Sequence, residues 1–176
     1  HSIKIGILGK YAALRDAYAS IDKAIEHASA HLSADTDVSW IDISDVNTDN
    51  VADRLKGING VIVPGGFGER GVEGKIACVE CVRNLGIPFL GICLGFQVAV
   101  IEFARHVVDL KEAHSTEFVP SADQAVISEL PDQKAIEGLG GTMRLGGQDV
   151  QVTSKTLASF LYAGQAAVRE RFRHRY

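Results

Sequence analysis

Cysteine is scarce in this chain, with three in 176 residues, an odd number. The N-terminus has no basic segment leading into an apolar core, so it reads as a first strand and not as a secretory signal. Together these exclude a disulfide framework and place the protein in a reducing, cytoplasmic setting. Long apolar runs are lacking, which excludes a helical membrane span. An excess of positive charge is lacking too. Lys and Arg number 18 against 22 Asp and Glu, for a formal net charge of -4. That gives no electrostatic footprint for nucleic acid. Internal repeats, low-complexity tracts and linkers are absent.

What is present is an ordinary globular composition, 46% apolar and 23% charged, long enough for one domain with a real core. The run 3–9 (IKIGILG) reads as a buried strand. A helix is expected from about Leu14, with Leu14, Tyr18, Ile21, Ile25 and Ala28 on one face. A strand over 38–43, a short helix over 51–56, a strand over 60–66, a helix over 72–85, a strand over 87–92 and a helix over 97–107 follow. Alternation of this kind predicts an α/β fold, a flavodoxin-like three-layer sandwich with a mostly parallel central sheet. Its sites belong at the C-terminal ends of strands. The second half is less regular. Strands are expected over 125–127, 143–145 and 150–152, with a weakly alternating tail from Val168 and a loop over 128–141.

Two of those strand ends carry candidate chemistry. The segment 91–95 is Gly-Ile-Cys-Leu-Gly, following an apolar strand and preceding a helical pattern. This is the layout of a nucleophile elbow, in which glycines let the backbone pass beneath an exposed nucleophile. A thiol there sits at a positive helix end beside backbone N–H groups, which favours a thiolate. The bland reading of Cys93 is buried filling, and the paired glycines weigh against it. The loop 65–68, Gly-Gly-Phe-Gly, stands at the other end. It lacks both the full dinucleotide fingerprint and the Lys-Ser/Thr of a P-loop. It could instead give a second donor, from Gly66, to an oxyanion whose first donor is Leu94 N–H, or it is a plain strand-to-helix turn.

Other candidates read as structural. Cys78 and Cys81 are three apart in mid-helix, which suits neither a redox pair nor a zinc site. The cluster Arg169, Arg171, Arg173 and Arg175 reads as a solvated strand face. A thiol nucleophile wants a histidine held by a carboxylate. His1, His27 and His31 lie far from the elbow, His106 ends the helix behind it, and His114 and His174 have no orienting carboxylate at a suggestive spacing.

The segment 91–97 (GICLGFQ) resembles the nucleophile motif of class I (triad) glutamine amidotransferases. The segments 64–71 (PGGFGERG), 115–118 (STEF), 140–146 (GGTMRLG) and 173–176 (RHRY) narrow the likeness to the glutaminase domains of the CTP synthase family. It runs in order over nearly the whole chain. It implies that Cys93 attacks the side-chain amide of L-glutamine and forms a glutamyl thioester. Gly66 and Leu94 then match the oxyanion positions, and Gln97, Glu117 and Arg175 match the glutamine-binding ones. Arg175 suits the α-carboxylate and Glu117 the α-ammonium. In such an enzyme the ammonia passes to a synthetase domain, where ATP and Mg serve the amination of UTP to CTP. GTP is the allosteric activator, and the parent enzyme is a homotetramer. No cofactor and no metal are expected in this domain.

Phe96 replaces the family's usual methionine, and Phe172 a common histidine. The family's catalytic histidine and glutamate lie in a His-Pro-Glu segment beyond Arg-His-Arg-Tyr. The sequence therefore reads as an amidotransferase domain over 1–176, incomplete at its C-terminus and without its synthetase domain. By itself it is expected to turn over poorly. Alternative readings are the glutaminase of another synthetase, a cysteine hydrolase or stress protein of the same fold class, and a non-catalytic regulatory domain.

Overall fold

A computed structural model describes residues 2–9, 18–44, 46–66, 68–69, 71–130 and 144–176. The chain divides into two compact units, His1–Ser128 and Glu129–Tyr176.

The first unit is built on a four-stranded parallel sheet. Its strands are β1 (Ile3–Gly9), β2 (Thr36–Asp42), β3 (Gly60–Val63) and β4 (Phe89–Gly91), in the order β2-β1-β3-β4. β1 pairs with β2 along its whole length and with β3 at Ile5–Ile7. β1 is thus a central strand, buried from Gly6 to Gly9, and an unbroken apolar run is what a strand covered on both faces selects. The helices are α1 (Ala19–Leu32), α2 (Val51–Arg54), α3 (Val72–Leu85) and α4 (Leu94–His106). The order reverses direction at β1, so right-handed crossovers put α1 on one face and α2 with α3 on the other. That gives the helix–sheet–helix layering expected of a flavodoxin-like fold. Two short strands, β5 (Ala113–Ser115) and β6 (Gln124–Ile127), pair in parallel and pack on α4.

Two apolar clusters fill this unit. One joins Leu8, Ile41, Ile43, Val61 and Val63 of the sheet region to Leu55, Cys78 and Val82. The other joins Val72, Ile76 and Val79 of α3 to Leu94, Val98 and Ile101 of α4 and to Phe118. α3 thus faces the sheet with one stripe and α4 with the next, which is why Val72 and all of 74–79 are buried.

In the second unit, β7 (Arg144–Gln151) and β8 (Ala167–Arg173) form an antiparallel pair. Between them lies a one-turn helix, α5 (Leu157–Leu161), capped by the Thr156 hydroxyl, which accepts from Ser159 N–H at 3.1 Å. Residues 143–145 and 150–152 were expected to be separate strands. Met143 lies outside the described residues and Val152 beyond the strand's end, but Arg144–Gln151 form one strand because β8 pairs with it from end to end, and the register shift beside Gly146 (φ +74°) absorbs the glycine break.

The expected strands and helices of the first half are otherwise in place, with ends moved by a few residues. α4 begins at Leu94, three residues before its expected start, because the turn at Cys93 leads directly into helix. β5 and α5, too short for a periodic signal, were not anticipated. The expected start of the first helix at Leu14 and most of the loop over 128–141 fall outside the described residues.

Candidate active site: the Cys93 elbow

β4 ends at Gly91 and α4 starts at Leu94, so Cys93 is the hinge between them. Its backbone lies at φ 54°, ψ -113°. A non-glycine residue there carries strain of about 1–3 kcal/mol and is held only by what surrounds it. The surroundings are the two flanking glycines. A β-carbon on Gly91 would lie 2.6 Å from Phe96 N, and one on Gly95 would lie 1.9 Å from Val63 O. No other residue type fits at either place. The Gly-x-Cys-x-Gly pattern therefore records close backbone approach on both sides of the thiol.

The N-terminal amides of α4 are accounted for one by one. Gly95 N–H donates to Ile92 O at 2.9 Å, and Phe96 and Gln97 N–H donate to Cys93 O at 3.0 and 3.1 Å. Leu94 N–H favours the charged form of the Cys93 sulfur.

The β3–α3 loop closes on the same spot. A β-carbon on Gly65 would lie 3.3 Å from Cys93 Cβ and 3.8 Å from Sγ, and one on Gly66 would lie 3.8 Å from Leu94 Cδ2. Gly65 and Gly66 thus lie against the elbow. From the other side comes Glu117, whose Oε1 accepts from Gly68 N–H at 3.0 Å.

Cys93 is half-buried. Burial pushes its thiol above the ordinary cysteine value. Leu94 N–H pulls it down, the Glu117 carboxylate pushes it up, and the Lys75 ammonium pulls it down. Gly66, Leu94, Gln97 and Glu117 thus all belong to the unit that carries Cys93, with Gln97 half-buried one turn into α4. Lys75 was not anticipated from the sequence, because a lysine in a helix reads as a solvated charge. Arg175 belongs to the second unit, where its Nε meets Glu129 Oε1 at 2.7 Å and its carbonyl accepts from Leu130 N–H at 2.9 Å. Arg169, Arg171 and Arg173 are exposed on β8, as a solvated strand face should be.

The remaining candidates are engaged elsewhere. His106 Nδ1 lies 3.2 Å from Glu102 Oε1. His114 Nδ1 accepts from Ser115 N–H at 3.0 Å, and its Nε2 lies 3.8 Å from Glu73 Oε1, a carboxylate 41 positions away that sequence spacing does not suggest. Burial pushes the Cys78 thiol up to about 12, so it is inert. Among the described residues no group of three or more His, Cys, Asp or Glu is placed to hold a metal ion. Nor is any helix there long and apolar enough to cross a membrane. A separate groove of about 310 Å³, lined by Asn47, Glu73, Glu80, Arg105 and His106 among others, does not include Cys93. Its charges answer one another, with Arg105 Nη1 2.9 Å from Glu73.

A cysteine on a strand-to-helix elbow of a parallel sheet, with a glycine loop set against it, is the arrangement a thiol acyl-transfer site requires. The family model for class I glutamine amidotransferases matches residues 13–176, and the chain belongs to that family. Its curated relatives include the CTP synthase of Halalkalibacterium halodurans, 49% identical over 174 residues. The CTP synthase of Methanopyrus kandleri is 48% identical over 176 residues. Each alignment covers 99% of this chain but only 32% or 33% of the relative, so the chain spans about a third of their length. Among solved structures, the glutaminase domain of Trypanosoma brucei CTPS with bound acivicin matches with a TM-score of 0.89 and 35% identity, over 99% of this chain and 67% of that one.

Proposed function

We propose that this chain is the glutaminase portion of a CTP synthase, working in the cytoplasm. It would hydrolyse L-glutamine through a Cys93 thioester and supply ammonia for the ATP-dependent amination of UTP to CTP. The observation that carries the reading is the elbow itself: a thiol on a strained backbone between β4 and α4, with the Gly65–Gly66 loop set against it. The relatives' names and the acivicin complex of the matched domain support glutamine, of which acivicin is an analogue.

In the proposed reaction the Cys93 thiolate attacks the side-chain carbonyl carbon of glutamine. The resulting oxyanion is met by the N–H groups of Leu94 and Gly66. Collapse breaks the C–N bond, and the amide nitrogen takes a proton and leaves as ammonia. Water then attacks the thioester, releasing glutamate and restoring the thiol. Gln97, Glu117 and Arg175 bind glutamine, Glu117 through its α-ammonium and Arg175 through its α-carboxylate. A bound ammonium would also offset the Glu117 charge that disfavours the thiolate. With His106 and His114 engaged elsewhere, the proton-transfer base is assigned to the family's His-Pro-Glu segment, outside residues 1–176. ATP, Mg and UTP are assigned to the synthetase domain of the longer protein. GTP is assigned as activator and a homotetramer as the assembly.

Acivicin labelling followed by peptide mass spectrometry tests this reading. Covalent modification at Cys93, lost in Cys93→Ala together with glutamine-dependent ammonia release by the full-length protein, is expected. Ammonia release that survives Cys93→Ala, or failure of acivicin to modify Cys93, would overturn it. The second of these results would favour a non-catalytic domain or a different hydrolase.

A further inference from the structure

The β3–α3 loop carries Gly66 and is fastened at both ends. At its start Val63 O accepts Ile92 N–H at 2.9 Å. At its finish Val72 N–H donates to Glu69 O and Lys75 N–H to Gly71 O, each at 3.1 Å. In between, Gly68 N–H reaches across 49 positions to Glu117 Oε1 at 3.0 Å. Gly68 has φ +79°, and nothing lies within 4 Å of where its β-carbon would stand. Glycine is required there by the backbone turn and not by close packing. The place of this part of the loop is therefore left to bonds such as the one to Glu117.

Glu117 is itself firmly seated. It follows Ser115, which is 1% exposed, and its N–H donates to Ser115 Oγ at 3.1 Å. Thr116 N–H donates to Ile127 O at 3.0 Å, and the N–H groups of Phe118 and Val119 donate to Ser115 O at 3.1 and 3.0 Å. Phe118 is buried in the cluster that holds Val72 of α3 and Leu94 of the elbow helix. The carboxylate thus stands on a post built into the same packing as Leu94. To that post it ties the loop of Gly66, two residues before Gly68. A carboxylate accepts several hydrogen bonds, so Gly68 leaves it capacity for another donor.

We propose that Glu117 is a positioning residue of the oxyanion loop as well as a substrate ligand. Its Oε1 pins Gly68 and so holds Gly66 N–H in place. The same carboxylate takes the α-ammonium of the substrate. Recognition of an α-amino acid and alignment of the oxyanion donor are then one event. The role deepens the glutaminase reading and rests on it for its purpose. The pin itself is measurable without glutamine.

The test compares Glu117→Gln, Glu117→Ala and the parent sequence in the full-length protein. Glu117→Gln keeps a carbonyl oxygen for Gly68 and loses the charge, whereas Glu117→Ala loses both. Amide hydrogen exchange of the 64–71 peptide, without substrate, should quicken about tenfold in Glu117→Ala, as for one lost hydrogen bond to a charged group, and stay near the parent in Glu117→Gln. Parent-like exchange over 73–85 reports that each variant is folded. Glu117→Met makes the same comparison should the alanine variant not fold. In glutamine hydrolysis both variants should raise KM about tenfold through loss of the charge. Only Glu117→Ala should also lower kcat by about tenfold, part of the loss that follows removal of an oxyanion donor.

Parent-like loop exchange in folded Glu117→Ala overturns the proposal. So does an equal kcat in the two variants, which would mark Glu117 as a substrate ligand alone. Either result, with acivicin still labelling Cys93 in the parent, removes the pin and leaves the glutaminase reading standing. Absence of that labelling in the parent removes the glutaminase reading instead, and loop exchange still decides the pin.

Discussion

Gly95 lies directly against the end of β3, so that a β-carbon on it would stand 1.9 Å from the carbonyl oxygen of Val63. The same oxygen accepts Ile92 N–H at 2.9 Å. One carbonyl thus fixes the strand before Cys93 and the helix after it. Gly95→Ala must push α4 off the sheet and break the bond that holds Ile92. The expected loss is about 3 kcal/mol, the upper end for overpacking, read as a fall in the urea midpoint. Cys93 labelling should fall with it. A midpoint within experimental error of the parent would show that the elbow can relax without cost.

Cys93 itself is strained, and glycine would relieve the strain. At φ 54°, ψ -113° an alanine keeps the β-carbon and its penalty, whereas glycine has neither. Cys93→Gly should be more stable than Cys93→Ala by about 1 kcal/mol, although both lose the nucleophile. Glycine normally destabilises through chain entropy, so the opposite order would show that the backbone is unstrained. Denaturant titration of the two variants decides it.

Arg83 and Glu102 join α3 to α4 by a fork. Nε lies 3.1 Å from both carboxylate oxygens and Nη2 lies 2.8 Å from Oε1. Glu102 is 1% exposed on its side chain and Arg83 36%. Removing the arginine leaves a buried carboxylate with His106, which is no permanent charge, beside it. Arg83→Met should cost about 2 kcal/mol, between the values for exposed and for fully buried pairs. Adding Glu102→Leu should recover most of that loss, because the unpaired charge goes with it. A thermodynamic cycle by thermal or urea unfolding checks both parts, and a double variant no more stable than the single one would refute the charge account.

The parts of this fold legible in the sequence are those where local pattern and long-range packing agree. β1, α3 and the elbow carry apolar runs or helical spacing that their neighbours then use. Glycine was legible at 91 and 95 because a turn and a close approach leave no alternative there. Features fixed by a distant partner were not legible. β7 reads as two strands until β8 is laid beside it, and α5 and β5 are too short to print a period. Lys75 was missed for the same reason. It is 3% exposed on a helix that packs against both the sheet and α4, and nothing local distinguishes it from a surface lysine. Family likeness, not pattern, singled out Glu117, and its contact with Gly68 spans 49 positions.

Cys78 gives a prediction in alkaline solution. Its folded-state value is raised to about 12 from an ordinary 9.0, first by burial and then by the neighbouring Cys81. The raised group is neutral when protonated, so folding favours the protonated thiol. The contribution is whole below about pH 9, where both states hold the proton. It declines as pH rises from about 9 to 12, where the unfolded chain ionises and the folded one does not. The full term is on the order of 4 kcal/mol, three units at about 1.4 kcal/mol each. Cys78→Val removes the titrating group and keeps an apolar side chain in the cluster with Val61 and Val63. Urea midpoints measured at intervals from pH 8 to pH 11 should therefore fall more steeply for the parent than for Cys78→Val. Parallel curves would mean that Cys78 ionises in the folded protein as readily as in the unfolded chain, and that its place beneath the sheet does not keep water out.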